Sequence, residues 1–130
     1  MATVTVVDEL LAGSKHETLT LEFLDERVTV REVIRSRVYQ EVTEYNARMP
    51  EHFRGLVQPT DAERVLNGYR LRQRRKIDWQ EQFRRAIEAF QRNGFLILVD
   101  TTQVDDLDQI VDLKHTSTVT FLKLMPLVGG

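Results

Sequence analysis

Thr118-Val119-Thr120-Phe121-Leu122-Lys123-Leu124-Met125-Pro126-Leu127-Val128-Gly129-Gly130 is the stretch around which the rest of the chain can be read. Its first half alternates. Val119, Phe121 and Lys123 fall on one face, and Thr118, Thr120, Leu122 and Leu124 on the other, which predicts a β-strand. Pro126 has no amide hydrogen to donate, so sheet pairing is expected to stop near it and the last residues to project. What projects is an apolar pair, two glycines and a carboxylate. A frayed end or a chain boundary is the plain alternative; the strand before the glycines sets the motif apart from it.

The strand needs partners, and the preceding sequence supplies them. Phe95-Leu96-Ile97-Leu98-Val99 is short and continuously apolar, as expected of a central strand buried on both faces. Asp100 to Asp112 follows as an acidic, turn-rich connection with Val104, Leu107, Ile110 and Val111 available for packing. At the other end, Thr3-Val4-Thr5-Val6-Val7 and Thr18-Leu19-Thr20-Leu21-Glu22-Phe23 flank the turn residues Ala12-Gly13-Ser14-Lys15 and read as a hairpin. Thr29 and Glu32 form a capping box, with Val28 and Val33 at staple spacing. Val30, Val33, Ile34, Val38, Val42 and Tyr45 then hold one helical stripe, with Arg31, Glu32, Arg35, Glu41 and Glu44 assigned elsewhere. The helix is predicted from Val30 to about Ala47, closed by Pro50.

Between these parts, Met49 to Lys76 is ambiguous. Thr60 and Glu63 could cap a short helix over Ala62 to Leu66, and Asn67-Gly68 is either its stop or a hairpin turn. Asp78 and Glu81 make a second box ahead of Trp79, Phe83, Ala86, Ile87 and Phe90, which recur at helical period. That stripe reads as core, with a docking helix as the alternative. Asn93-Gly94 is its expected stop.

Composition narrows the function classes. At 130 residues the chain is expected to be one domain, with ordinary apolar (42%) and charged (29%) fractions. There is no cysteine, so disulfides, thiolate metal sites and a cysteine nucleophile are excluded within this chain. No apolar run approaches the ~20 residues of a membrane span, and the N-terminus lacks a signal-peptide layout; cytoplasmic residence is the expectation. The net charge of −2 hides an asymmetry: Ala47 to Gly94 holds eleven of the 18 Lys/Arg and six of the 20 Asp/Glu, giving +5 there and −7 elsewhere. The basic excess is densest at Arg70, Arg72, Arg74, Arg75 and Lys76.

The order hairpin, helix, insert, central strand, final strand resembles that of the ubiquitin-like β-grasp family, which includes ubiquitin-like modifiers and the sulfur carriers of molybdopterin and thiamine synthesis. Leu113-Lys114-His115-Thr116-Ser117-Thr118-Val119 is similar to the Ile-Gln-Lys-Glu-Ser-Thr-Leu that leads into ubiquitin's last strand. Pro126-Leu127-Val128-Gly129-Gly130 is similar to the carriers' Pro-Val-x-Gly-Gly, and Leu98-Val99-Asp100 to their Val-Asn segment. The resemblance covers roughly Met1 to Ala47 and Phe95 to Gly130. It implies an α+β fold, a β-grasp mixed sheet with a helix packed across it. One ubiquitin-like domain would span residues 1–130, with a basic, partly helical insertion at about 48–94.

It also implies a function. A prokaryotic ubiquitin-like modifier would present the Gly130 carboxylate for adenylation, at the expense of ATP, by a partner activating enzyme. A conjugating enzyme, a target protein and a deconjugating protease would follow. The alternatives are a sulfur carrier ending as a thiocarboxylate, delivered to a sulfur acceptor, and an interaction domain that uses its basic insertion. In each case the chain is not itself an enzyme and binds no cofactor. Gly129 and Gly130 would be the activation terminus, since a tail entering a narrow channel needs residues without side chains. Met125, Pro126, Leu127 and Val128 stand where ubiquitin has arginines, which implies a dedicated partner with an apolar channel.

Little else in the sequence suggests chemistry. His16, His52 and His115 are isolated and show no metal spacing, and the acidic residues Asp105, Asp106, Asp108 and Asp112 lack the glycine and glutamate of a calcium loop. No metal site is expected. For Arg70, Arg72, Arg74, Arg75 and Lys76 a solvated face is the leading reading, an acidic partner surface the second, and nucleic acid the least favoured, because only Tyr69 is at hand for stacking.

Overall fold

The computed structural model describes residues 1–65, 68–115 and 118–124. These form two compact units, Met1–Val33 with Ala89–Gly130 and, separately, Ile34–Glu88, the boundaries falling inside the two helices α1 (Val30–Arg48) and α2 (Trp79–Gln91). The class is α+β. None of the helices is long and apolar enough to cross a membrane, among the described residues.

The first unit is built on a mixed sheet. β1 (Ala2–Leu10) and β2 (Lys15–Phe23) pair as the expected hairpin, with an irregularity between Val6 and Val7 that leaves Thr18 unopposed. β3 (Arg27–Thr29) lies outside this sheet. β6 (Phe95–Val99), β7 (Thr102–Val104) and β9 (Thr118–Lys123) complete it in the order β2-β1-β9-β6-β7. The first and last strands therefore lie side by side, and they run parallel, from Thr5 opposite Thr118 to Leu10 opposite Lys123. All other pairings in the sheet are antiparallel.

Alternation along these strands puts Val4, Val6, Leu21, Phe23, Phe95, Ile97, Val119 and Phe121 on one buried face, each at most 5% exposed. Phe95 links two further rings, with centroid distances of 5.7 Å to Phe90 and 5.8 Å to Phe121. Burying one such side chain stabilises the fold by about 1.5–3 kcal/mol. The opposite face is only half covered. Leu96 and Leu98 remain partly exposed, which corrects the expectation of a strand buried on both faces.

The connection from Asp100 to Asp112 is more ordered than the sequence suggested. It contains β7 and β8 (Ile110–Asp112), and β8 pairs with β3 in a second small sheet. Val104, Leu107 and Val111 are buried as expected, but Ile110 is 56% exposed and does not pack. This segment also starts α1. Gln109 and Leu107 carbonyls accept from the Val30 and Arg31 amides at 3.0 and 2.9 Å, and Thr29 Oγ1 accepts from the Glu32 amide at 3.1 Å. Three of the helix's four orphan donors are thus satisfied.

In the second unit, β4 (Ala62–Val65) and β5 (Gly68–Leu71) form a hairpin, so the helical option over Ala62 to Leu66 is set aside; Leu66 and Asn67 lie outside the described residues. The reason is tertiary: Tyr69 exchanges backbone hydrogen bonds with Phe53 at 2.7 and 2.9 Å, pairing that a helix would forgo. α2 opens on Asp78, whose Oδ1 accepts from the Gln80 amide at 3.0 Å. Its partner in the expected box, Glu81, turns instead to Arg84, at 2.6 Å from Nη2. The end of α2, which belongs to the first unit, is a Schellman motif: Gly94 donates to Ala89 at 2.7 Å and Asn93 to Phe90 at 3.1 Å. Asn93, at φ 60°, takes the left-handed conformation there.

Candidate functional site

The region that delivers the expected activation terminus is the end of β9. Lys123 stands opposite Leu10 of β1 and Phe95 of β6, so the strand is held on both sides up to its last residue. Leu124 then donates its amide to the Gly94 carbonyl at 3.0 Å. Lys123 Nζ lies 3.6 Å from Asp8 Oδ2, with both side chains mostly buried at 15% and 13% exposure. On the β1 side the strand end borders the β1–β2 turn, where Gly13 adopts φ 100° and Leu11 is 69% exposed. Met125, Pro126, Leu127, Val128, Gly129 and Gly130 lie outside the described residues.

The basic run belongs to the other unit, and its guanidinium groups are largely committed. Arg70 on β5 donates Nε to Glu63 Oε1 on β4 at 2.8 Å and pairs with the same carboxylate through Nη2. That hydrogen bond, then the Arg70 charge and the more distant Arg72, hold the Glu63 carboxyl below the usual glutamate value. Arg74 Nη2 donates to the Met49 carbonyl at 2.7 Å, just past the end of α1, where a cation also meets the negative end of the helix dipole. Arg75 bonds the carbonyls of Thr60 and Lys76. Nearby, Asn46 on α1 and Ile77 exchange two hydrogen bonds of 2.8 Å each. The segment from Arg72 to Asp78 is thereby strapped to the end of α1. Arg72 and Lys76 are exposed.

One constellation of charge escaped the sequence reading. Along α1 the buried positions are Val30, Val33, Ile34, Arg37, Val38, Glu41, Val42 and Tyr45, an unbroken stripe that includes a cation and an anion. Glu41, expected off the apolar stripe, is 7% exposed, and Arg37 is fully buried. Arg37 Nε lies 3.5 Å from Glu41 Oε1. Both Glu41 oxygens also accept from the Leu56 amide, at 3.2 and 3.0 Å. The spacing was the available signal: Arg37 and Glu41 stand at i+3 and i+7 from Ile34. The pair fastens the loop after α1 to the helix.

The α2 stripe is core only in part. Ala86 and Phe90 are buried, but Gln82 is buried with them, donating to the Val57 carbonyl at 3.1 Å. Trp79 and Phe83 are half-exposed, and Trp79 meets Tyr39 edge-on at 5.2 Å. A polar cleft of about 320 Å³ lies beside the start of α2, between Pro59, Thr60, Arg75 and Asp78. Its polar groups serve the local bonds just described. His16, His52 and His115 are each exposed and apart in the chain, and no cluster of metal-ligating side chains occurs among the described residues.

No family model, no curated protein and no solved structure matches the chain.

Proposed function

We propose that the chain is a β-grasp protein that acts as a ubiquitin-like modifier through the Gly130 carboxylate. The observation that carries this reading is the strand order β2-β1-β9-β6-β7 with β1 and β9 parallel at its centre. A strand fixed on both sides makes a rigid base for the residues that follow it, and the residues that follow end in Gly129-Gly130. The proposal concerns the form of the chain that ends at Gly130, whether translated so or trimmed to it.

The chemistry follows from the carboxylate. With a pKa of ~3.3–3.7 it is ionised at neutral pH and is a poor electrophile until it gains a leaving group. Its oxygen attacks the α-phosphorus of ATP in the activating partner and pyrophosphate leaves. A partner thiolate then displaces AMP, and an amine of the target displaces the thiolate. Gly129 and Gly130 position the reacting carbon, and Met125 to Val128 fill an apolar channel. ATP, thiolate and proton transfer belong to the partners.

The test is recovery of the N-terminally tagged chain from its native host under denaturing conditions, followed by gel analysis and intact mass. Higher-mass conjugates that vanish when Gly130 is deleted support the modifier. An unconjugated chain with one oxygen replaced by sulfur overturns it in favour of a sulfur carrier. A single unmodified species, the same with and without Gly130, overturns both. Leu127→Arg with Val128→Arg should abolish conjugation while leaving the fold intact.

A further inference from the structure

The outer edge of the five-stranded sheet is formed by β2, which has β1 on one side and, among the described residues, no strand on the other. It is nine residues long, against three for β7 at the opposite edge. Natural sheets usually blunt such an edge, because a row of unpaired amides and carbonyls is a template for another strand. Here the blunting stops at Thr18, where the irregular register bends the strand. From Leu19 to Phe23 the edge is regular. Leu19, Leu21 and Phe23 point to the buried face, while Thr20 and Glu22 are exposed on the other. Leu19 is only partly covered, and Leu24, just beyond the strand, is 85% exposed.

We propose that β2 pairs antiparallel with β2 of a second copy of this chain, about a two-fold axis through Leu21. This does not rest on the tail or on its chemistry. In that register Leu19 lies opposite Phe23 of the second copy, Leu21 opposite its own equivalent, and Thr20 opposite Glu22. Every apolar side chain meets an apolar one on the same face, no like charges oppose each other, and Leu19 gains its missing cover. Centring the axis on Thr20 instead would set Phe23 opposite Glu17, which the bulge has turned to the other face. Past Thr18 the favoured register would bring Glu17 against Asp25, so the pairing is confined to five residues. Two sheets joined in this way make one continuous sheet with its apolar faces aligned.

The test uses the full chain. Sedimentation over about 10 µM to 1 mM should show a reversible monomer–dimer equilibrium. Thr20→Glu puts two carboxylates opposite each other twice per dimer, and Thr20→Lys puts a cation opposite Glu22 twice. The first should raise the dimer dissociation constant by about two- to thirty-fold and the second lower it over a similar range. Because the chain has no cysteine, register can be read directly. Oxidising a mixture of Thr20→Cys and Glu22→Cys chains should give a mixed disulfide dimer, and either chain alone should give little. A chain that stays monomeric throughout overturns the proposal. So does efficient cross-linking of Thr20→Cys alone, or a shift of the constant in the same direction by glutamate and lysine at residue 20.

Discussion

Replacing Glu41 by leucine removes one half of the buried pair on α1 and offers a direct measure of what that pair does. The change keeps the side-chain volume but leaves the fully buried Arg37 without this carboxylate and the Leu56 amide without its two contacts at 3.2 and 3.0 Å. Breaking a buried ion pair by removing one partner costs ~3–5 kcal/mol, of which ~1–3 is what an orphaned buried amide accounts for. For 130 residues the unfolding entropy near the midpoint is about 0.27 kcal/mol/K, so the melting temperature should fall by roughly 11–18 °C. Glu41→Gln, which retains an acceptor for Leu56, should fall less. The double variant Arg37→Met with Glu41→Leu should recover the part of the loss that comes from the uncompensated Arg37 charge, while the part due to the Leu56 amide remains. Urea unfolding followed by circular dichroism on the wild type, Arg37→Met, Glu41→Leu and the double variant gives the coupling energy. A Glu41→Leu cost below about 1 kcal/mol, or a double variant as unstable as the sum of the singles, would refute the reasoning.

Two further outcomes are expected. On the β4–β5 hairpin the Glu63 carboxyl is depressed by Arg70, so the favourable interaction is fully present above the ordinary glutamate pKa and is lost as pH falls through the lower, folded value. An NMR titration should place the Glu63 midpoint below the normal range, and Arg70→Gln should return it; an unchanged midpoint in that variant would show that the pair is not the cause. Among glycines, Gly68→Ala should cost about 2–4 kcal/mol and Gly13→Ala about 1 kcal/mol by thermal unfolding. A methyl at Gly68, φ 150°, would sit 2.6 Å from the Phe53 carbonyl oxygen, whereas at Gly13, φ 100°, it meets nothing within 4 Å. Equal losses would mean that backbone strain alone sets both.

Legibility followed the range of the forces involved. The hairpin, α1, α2, β6 and β9 were readable because each carries its own period and its own start or stop: Thr29 and Asp78 at helix entries, Asn93-Gly94 at an exit. β4, β5, β7 and β8 were not, since segments of three or four residues have no period to detect and are held by distant partners, as Tyr69 is by Phe53 and Val111 by Val28. Residue type misled where position should have ruled. Arg37 and Glu41 lie within the apolar stripe of α1, and Gln82 within that of α2, because each finds a polar partner in the interior. For the candidate site, the base of the tail was legible as a strand with proline after it. The roles of Arg70, Arg74 and Arg75 were not: five cations in seven residues read as a field, while their bonds reach Glu63, Met49 and Thr60, up to 25 residues away.

The place of β9 also governs how the sheet comes into being. Without it, β1 with β2 and β6 with β7 are two hairpins that share no strand boundary, and the parallel seam to β1 joins residues more than a hundred positions apart. Contacts that distant form only after a large loss of chain entropy, so closure of the sheet is a late and slow event. During synthesis both hairpins must wait, edges open, until Thr118 to Lys123 has been made. Of the described strands, the one that joins the halves is made last.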